Sequence, residues 1–137
     1  MLDSNLQSLA EVASICNNSG IATVSNEPGV AFSNHPFHAI GIPTKAALKV
    51  LVEKMGVPNQ EALERIRKED IIDHSLDYLV VKLGCCDWYI KRVEKVTLLE
   101  FDHSRKSMGV IVRTRSGAIE LLVKGAVENV LERSSYL

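Results

Sequence analysis

Phe101, Lys106 and the run Lys124-Gly125-Ala126 are the residues of this sequence whose types and spacing could hold a planar, charged ligand. An aromatic face stacks on a nucleobase and an ammonium group meets polar or anionic edges. A glycine lets two backbones, or a backbone and a ligand, come close. Placed on successive strands of one sheet, the segment FDHSRKSMGVIV and the later KGA would form a cradle for a nucleotide. Each residue also has a plainer reading. An aromatic at a strand end is more often packing, and a lysine there is more often solvated.

The elements needed to position these residues follow from periodicity. From residue 96 onward the apolar period is two. Residues 96–101, 107–114 and 118–124 read as three antiparallel strands, joined by the loop 102–106 and the turn Arg115-Ser116-Gly117. A last helix is expected over 127–133. Upstream, Asp3 or Ser4 caps a helix running to about Asn17, with Leu6, Leu9, Ala10, Ala13 and Cys16 on one face and Asn18-Ser19-Gly20 as its stop. Residues 21–24 and 30–32 read as short strands around the turn 26–29, and 33–42 as irregular chain. Thr44 caps a helix with a stripe of Ala47, Leu48, Leu51, Val52 and Met55, ended by Gly56 and Pro58. Asn59 starts another helix, whose charged run 65–70 is a solvated face. Residues 75–88 are ambiguous between helix and strand, with helix favoured. Helices first and strands second argue an α+β fold, an antiparallel sheet flanked by helices.

At 137 residues the chain forms one domain, 1–137, able to bury roughly two thirds of its unfolded surface. Its 46% hydrophobic and 24% charged residues are ordinary for a globular protein. A net charge of −1 with acids and bases interspersed offers no basic field, so no nucleic-acid partner is expected. The N-terminus lacks a signal-peptide pattern, no segment approaches the ~20 apolar residues of a membrane span, and a cytoplasmic setting is expected. Cys16, Cys85 and Cys86 are odd in number and include no CxxC pair, so reduced, buried thiols are expected and a zinc site is not. His35 and His38 lack a third ligand, and their loop is expected to pack Phe37 inward. No metal is expected.

Three ordered blocks, PTKAALKVLVEKMG (43–56), LEFDHSRKSMGVIV (99–112) and LLVKGAVENVLER (121–133), together resemble the nucleotide-binding domain of P-type cation-transporting ATPases. The likeness is nearest to plant endoplasmic-reticulum-type calcium pumps. It implies an antiparallel sheet with flanking helices that holds the adenosine of ATP. Phe101 matches the ring that stacks on adenine, and Lys106 and Met108 fall in the run RKSM that lines the pocket. Lys124, Gly125 and Ala126 match the pocket floor.

Two departures stand out. Where the family carries a glutamate at the adenine, this chain has Lys45, which donates only. Where the family carries an arginine two residues after the aromatic, this chain has His103, which holds little charge at neutral pH. One lost charge-assisted contact of ~1.5–3 kcal/mol weakens binding roughly 10- to 150-fold. The DKTGT phosphorylation motif is absent from these residues, so no ATPase activity is expected, and the resemblance covers only part of the family domain. The expectation is a free-standing, non-catalytic relative of a pump domain. ATP would bind weakly or not at all, and the chain would act through a protein partner (a full-length pump among the candidates) or a homo-oligomer built on exposed sheet edges. The alternative is a pump's ATP-binding domain that binds nucleotide without hydrolysing it.

Overall fold

A computed structural model describes residues 2–23, 37–69, 72–73 and 80–135. Helix α1 (Ser4–Ile15) begins at Asp3, whose carboxylate accepts the backbone N–H of Asn5 at 2.8 Å. It ends at Cys16, short of Asn17, and not through a glycine, because Gly20 already belongs to strand β1 (Gly20–Thr23). Asn17 shapes the exit instead. Its Nδ2 donates to the carbonyls of Ala13 (3.1 Å) and Lys45 (2.8 Å), and its Oδ1 accepts the N–H of Ser19 at 3.0 Å.

Strand β2 (Phe37–Ile40) pairs antiparallel with β1, which corrects the expectation of irregular chain there. Phe37 is 51% exposed, so it does not pack inward as expected. The strand at 30–32, the turn at 26–29 and His35 lie outside the described residues. Helix α2 (Pro43–Met55) starts with Pro43 at its first position and has no side-chain cap, so Thr44 is inside the helix rather than at its cap. Gly56, at φ +82°, ends it as expected. Asn59 caps helix α3 (Gln60–Lys68) by accepting the N–H of Ala62 at 2.7 Å, and Arg65, Arg67, Lys68 and Glu69 are exposed.

Strands β3 (Ile72–Asp73) and β4 (Val80–Val81) complete a small sheet in the order β2-β1-β4-β3. The helix favoured over 75–88 is therefore wrong at Val80 and Val81 and right from Gly84 onward, while 75–79 lie outside the described residues. Helix α4 (Gly84–Ile90) begins only at Gly84, where the Glu53 carboxylate of α2 accepts the N–H groups of Cys85 (3.1 Å) and Cys86 (2.9 Å). That cap comes from another helix, and it decides where this one starts.

The second sheet is β5 (Val93–Asp102), β6 (Ser107–Thr114) and β7 (Ile119–Gly125), antiparallel in that order, followed by α5 (Val127–Glu132). The α+β architecture matches the expectation. Two buried clusters hold it together. Ala10 and Ala13 of α1 pack with Val52, Val57, Cys85, Cys86 and Tyr89, while Ile15 and Cys16 pack on Met108, Val110 and Val112 of β6. Each fully buried valine contributes roughly 1.5–3 kcal/mol. Leu6 and Leu9, expected on the buried stripe, are 46% and 47% exposed, and Ala47 and Leu51 are exposed too. Ala10, Ala13, Ile15 and Cys16, not the leucines, make the contact. No described helix is long and apolar enough to cross a membrane.

Candidate nucleotide site

The strand register gathers the residues of interest at one end of the second sheet. Asp102 lies opposite Ser107, Ser107 opposite Gly125, and Met108 opposite Lys124. Phe101 directly precedes Asp102, so it lies level with Met108 and Lys124, roughly 10 Å from Lys124 across two strand spacings. Paired residues share a face. Lys124 therefore shares the face of Met108, Val110 and Val112, the one covered by the end of α1.

Phe101 is 48% exposed, and His103 meets its ring edge-on with centroids 5.3 Å apart. A half-exposed aromatic beside an open loop can receive a stacked base. The loop is tightened by Asp102, whose Oδ1 accepts the Arg105 N–H at 2.8 Å. Lys106 closes it with φ +47°, the left-handed conformation that ends such hairpins. Lys106 is exposed, and its carbonyl accepts the N–H of Ala126 at 2.9 Å. Gly125 explains why no larger residue stands there. A Cβ would lie 2.6 Å from the Lys106 oxygen and 2.6 Å from the Ser107 Cβ. The close approach this glycine permits is to the neighbouring strand.

Met108 is buried in the core, and its carbonyl accepts from the Cys16 thiol at 3.8 Å. Lys124 carries its Nζ into the protein, where the atom is buried and finds no hydrogen-bond partner among the described residues. Burial pulls its pKa down, the Cys16 thiol acts against that, and Lys45 and Lys49 add to the fall. Lys45 approaches from α2, its Nζ donating to Asn18 Oδ1 at 3.2 Å. Lys95 of β5 is likewise pulled down, by burial and then by Lys49. Burial pushes the Cys16 thiol up, more than the nearby lysines pull it down.

The structure thus forms two groups. Phe101, His103 and Lys106 sit at the hairpin, while Lys124, Lys45 and Met108 sit at the end of α1. Residue-type reasoning missed Cys16 and Lys49 as members of the second group. Lys49 follows Lys45 by four residues on one helix face, so spacing carried a signal for it. Lys95 shares the Lys124 face but pairs with Val112, which lies opposite Glu120, four residues along β7 from Lys124. A cleft of about 340 Å³ is lined by Leu99, Arg105, Ser107, Met108, Gly109, Leu121 and Val123 together with Asn129 and Val130 around α5. Phe101, Lys45 and Lys124 are not part of it.

Cys85 and Cys86 are buried, and their thiols are pushed up to about 12, by burial first and the Glu53 carboxylate second. They are poor nucleophiles.

Comparison with known proteins adds the family. The chain is 50% identical over 135 residues to the calcium-transporting ATPase 2, endoplasmic reticulum-type, of Arabidopsis thaliana, a match covering 98% of this chain and 12% of that protein. It is 44% identical over 136 residues to the calcium-transporting ATPase 4, endoplasmic reticulum-type, of the same plant, covering 99% and 11%. With the endoplasmic reticulum calcium ATPase srcA of Aspergillus fumigatus it shares 36% over 137 residues, covering 98% and 12%. The chain therefore spans only about an eighth of the length of these relatives. The family model described as "P-type ATPase, cytoplasmic domain N" matches residues 5–137, and the chain belongs to that family.

Proposed function

We propose that this chain is a nucleotide-binding domain that holds ATP weakly between Phe101 and Lys124 and hydrolyses none of it. The observation that carries the reading is the buried Lys124 ammonium without a partner, level with a half-exposed Phe101 on the same sheet. A donor kept out of water calls for an acceptor, and an open ring calls for a stacking partner. Weakness follows from the two departures. Lys45 is a cation already tied to Asn18, and His103 stands on the Phe101 ring where it partly occupies the base's approach. With no DKTGT motif in these residues, no aspartate here is placed to receive a phosphoryl group. Calorimetric titration of the chain with ATP tests this. Weak, saturable heat that disappears in Phe101→Ala supports the reading. No heat, or heat unaffected by that change, overturns it.

A second reading has its own observation. Ile119, Leu121, Val123 and Val127 are 59%, 56%, 39% and 69% exposed around the outer face and edge of β7. No described strand pairs with the outer edge of β7. A second copy of the chain, pairing β7 with β7, would bury these side chains and satisfy that edge. Light scattering that gives a dimer supports it, provided Leu121→Lys returns the monomer. A monomer at every concentration overturns it.

A further inference from the structure

The cleft between α5 and the second sheet holds an unanswered polar group of its own. Asn129 lines it, and its Oδ1 is buried without a hydrogen-bond partner among the described residues. A buried acceptor without a donor costs free energy that a bound N–H or O–H recovers. The cleft measures about 340 Å³, inside the range of roughly 300–1,000 Å³ typical of small-molecule sites. Its floor is apolar. Leu99, Gly109 and Val123 are register partners across β5, β6 and β7, and Val130 of α5 lines the cleft with them. Gly109 keeps the floor low, since a Cβ there would come within 3.2 Å of Leu121 Cδ1 and of the Leu122 carbonyl oxygen. The charge is one-sided. Arg105 and Arg133 line the cleft, and among the described residues no acidic side chain does. Arg133 enters no ion pair among the described residues, and Arg105 meets Asp102 only at 3.9 Å, both side chains nearly half exposed.

We infer that this cleft binds a small carboxylate that has an apolar side chain and an N–H or O–H donor beside the carboxylate. Arg133 and Arg105 take the carboxylate, Asn129 Oδ1 accepts from the donor, and Leu99, Val123 and Val130 cover the apolar chain. Asn129 and Arg133 stand four residues apart at the end of α5 and both line the cleft, so donor and carboxylate have to be near neighbours in the ligand. N-acylated apolar amino acids and apolar 2-hydroxy acids have that pattern, and the experiment separates them. Phe101, Lys45 and Lys124 do not line the cleft, so the site is independent of the nucleotide reading.

Amide chemical shifts of the whole chain, followed by nuclear magnetic resonance, are titrated separately with N-acetyl-L-leucine and with 2-hydroxy-4-methylpentanoate. The expected result is saturable shifts at Gly109, Val123 and Asn129 with at least one of these acids, and the tighter of the two names the donor as N–H or O–H. The comparison acid 4-methylpentanoate lacks the donor and binds several-fold more weakly, while N-acetyl-L-leucinamide lacks the charge and binds about tenfold more weakly or worse. Arg133→Gln lowers the affinity of both donor-bearing acids about tenfold, the loss of one charge-assisted contact. Arg133 is exposed, so this variant tests the site even where a change at Asn129 fails to fold. Asn129→Leu removes the acceptor, and 4-methylpentanoate then binds as well as either donor-bearing acid. Absence of saturable shifts at these residues with both acids overturns the site. Equal binding of the amide, or affinity that Arg133→Gln leaves unchanged, overturns it too. ATP enters none of these titrations, so their failure leaves the nucleotide reading standing.

Discussion

Replacing Gly125 with alanine tests the geometry that joins the two halves of the candidate site. The added Cβ would lie 2.6 Å from the Lys106 carbonyl oxygen, 2.6 Å from the Ser107 Cβ and 2.9 Å from the Ser107 Cα. Ordinary contact begins near 3.4 Å, so strands β6 and β7 have to part by about 0.8 Å at this point. None of these atoms lies at the end of a flexible side chain that could swing away. The separation also loads the bond from the Ala126 N–H to the Lys106 carbonyl, 2.9 Å long. Overpacking of this kind costs about 1–3 kcal/mol, and a weakened backbone hydrogen bond about 1 kcal/mol more. The smaller conformational entropy of alanine in the unfolded chain returns roughly 0.4–1 kcal/mol. A net loss of roughly 1–3.5 kcal/mol lowers Tm by roughly 3–12 °C in a domain of this size. Thermal unfolding followed by circular dichroism measures it, and ATP affinity should fall in the same variant as Lys106 shifts away from Lys124. A Gly125→Ala protein that melts within 2 °C (about the reading error) of the parent would refute the close strand approach.

Further outcomes follow from the same structure. Lys124→Met replaces the unpartnered buried ammonium with an apolar chain of similar length, so it should raise stability by roughly 1–2 kcal/mol in urea unfolding while reducing ATP binding at least tenfold. A loss of stability would mean the ammonium has a partner in the folded state. Glu53→Ala removes the acceptor for two N–H groups at the start of α4 and should cost roughly 2–4 kcal/mol, with Glu53→Gln milder; a neutral effect of both would deny the cap. Cys85 and Cys86, pushed up to about 12, stay protonated in the folded chain while unfolded thiols ionise near the ordinary 9.0. The unfolded state then binds fewer protons, so these groups stabilise fully below about pH 9 and lose that stabilisation as pH climbs toward 12. Lys95 and Lys124, pulled down by burial, act in the opposite sense in the alkaline range. Urea midpoints should fall between pH 9 and 11, and a thiol reagent at pH 8 should label the cysteines only on unfolding; fast native labelling would contradict their burial.

The parts of the fold that the sequence made readable are those set by local pattern. The period of two found β5, β6 and β7, and the capping residues Asp3 and Asn59 and the stop at Gly56 found the helix ends they control. What escaped depends on distant partners. Strand β2 has four exposed residues and follows a proline, so it carries no inward pattern; it is a strand because Gly20–Thr23 lies beside it. The start of α4 is set by Glu53, more than thirty residues earlier, and no local residue signals it. The stripe on α1 holds at Ala10, Ala13 and Cys16 and fails at Leu6 and Leu9, because close packing against α2 and α4 admits the small residues and leaves the leucines outside. At the candidate site, Phe101, Lys106, Lys124 and Gly125 were visible as residue types. The burial of the Lys124 ammonium, with Lys45 and Lys49 of α2 toward it, depends on how α1 and α2 meet the sheet.

Amide hydrogen exchange with and without saturating ATP examines the proposed cradle in one measurement. ATP should slow exchange at the end of β5, through residues 105–108 and along β7 to Ala126, and leave α3 unchanged. Unaltered exchange throughout, or protection confined to β2 and α2, would contradict a nucleotide seated between Phe101 and Lys124.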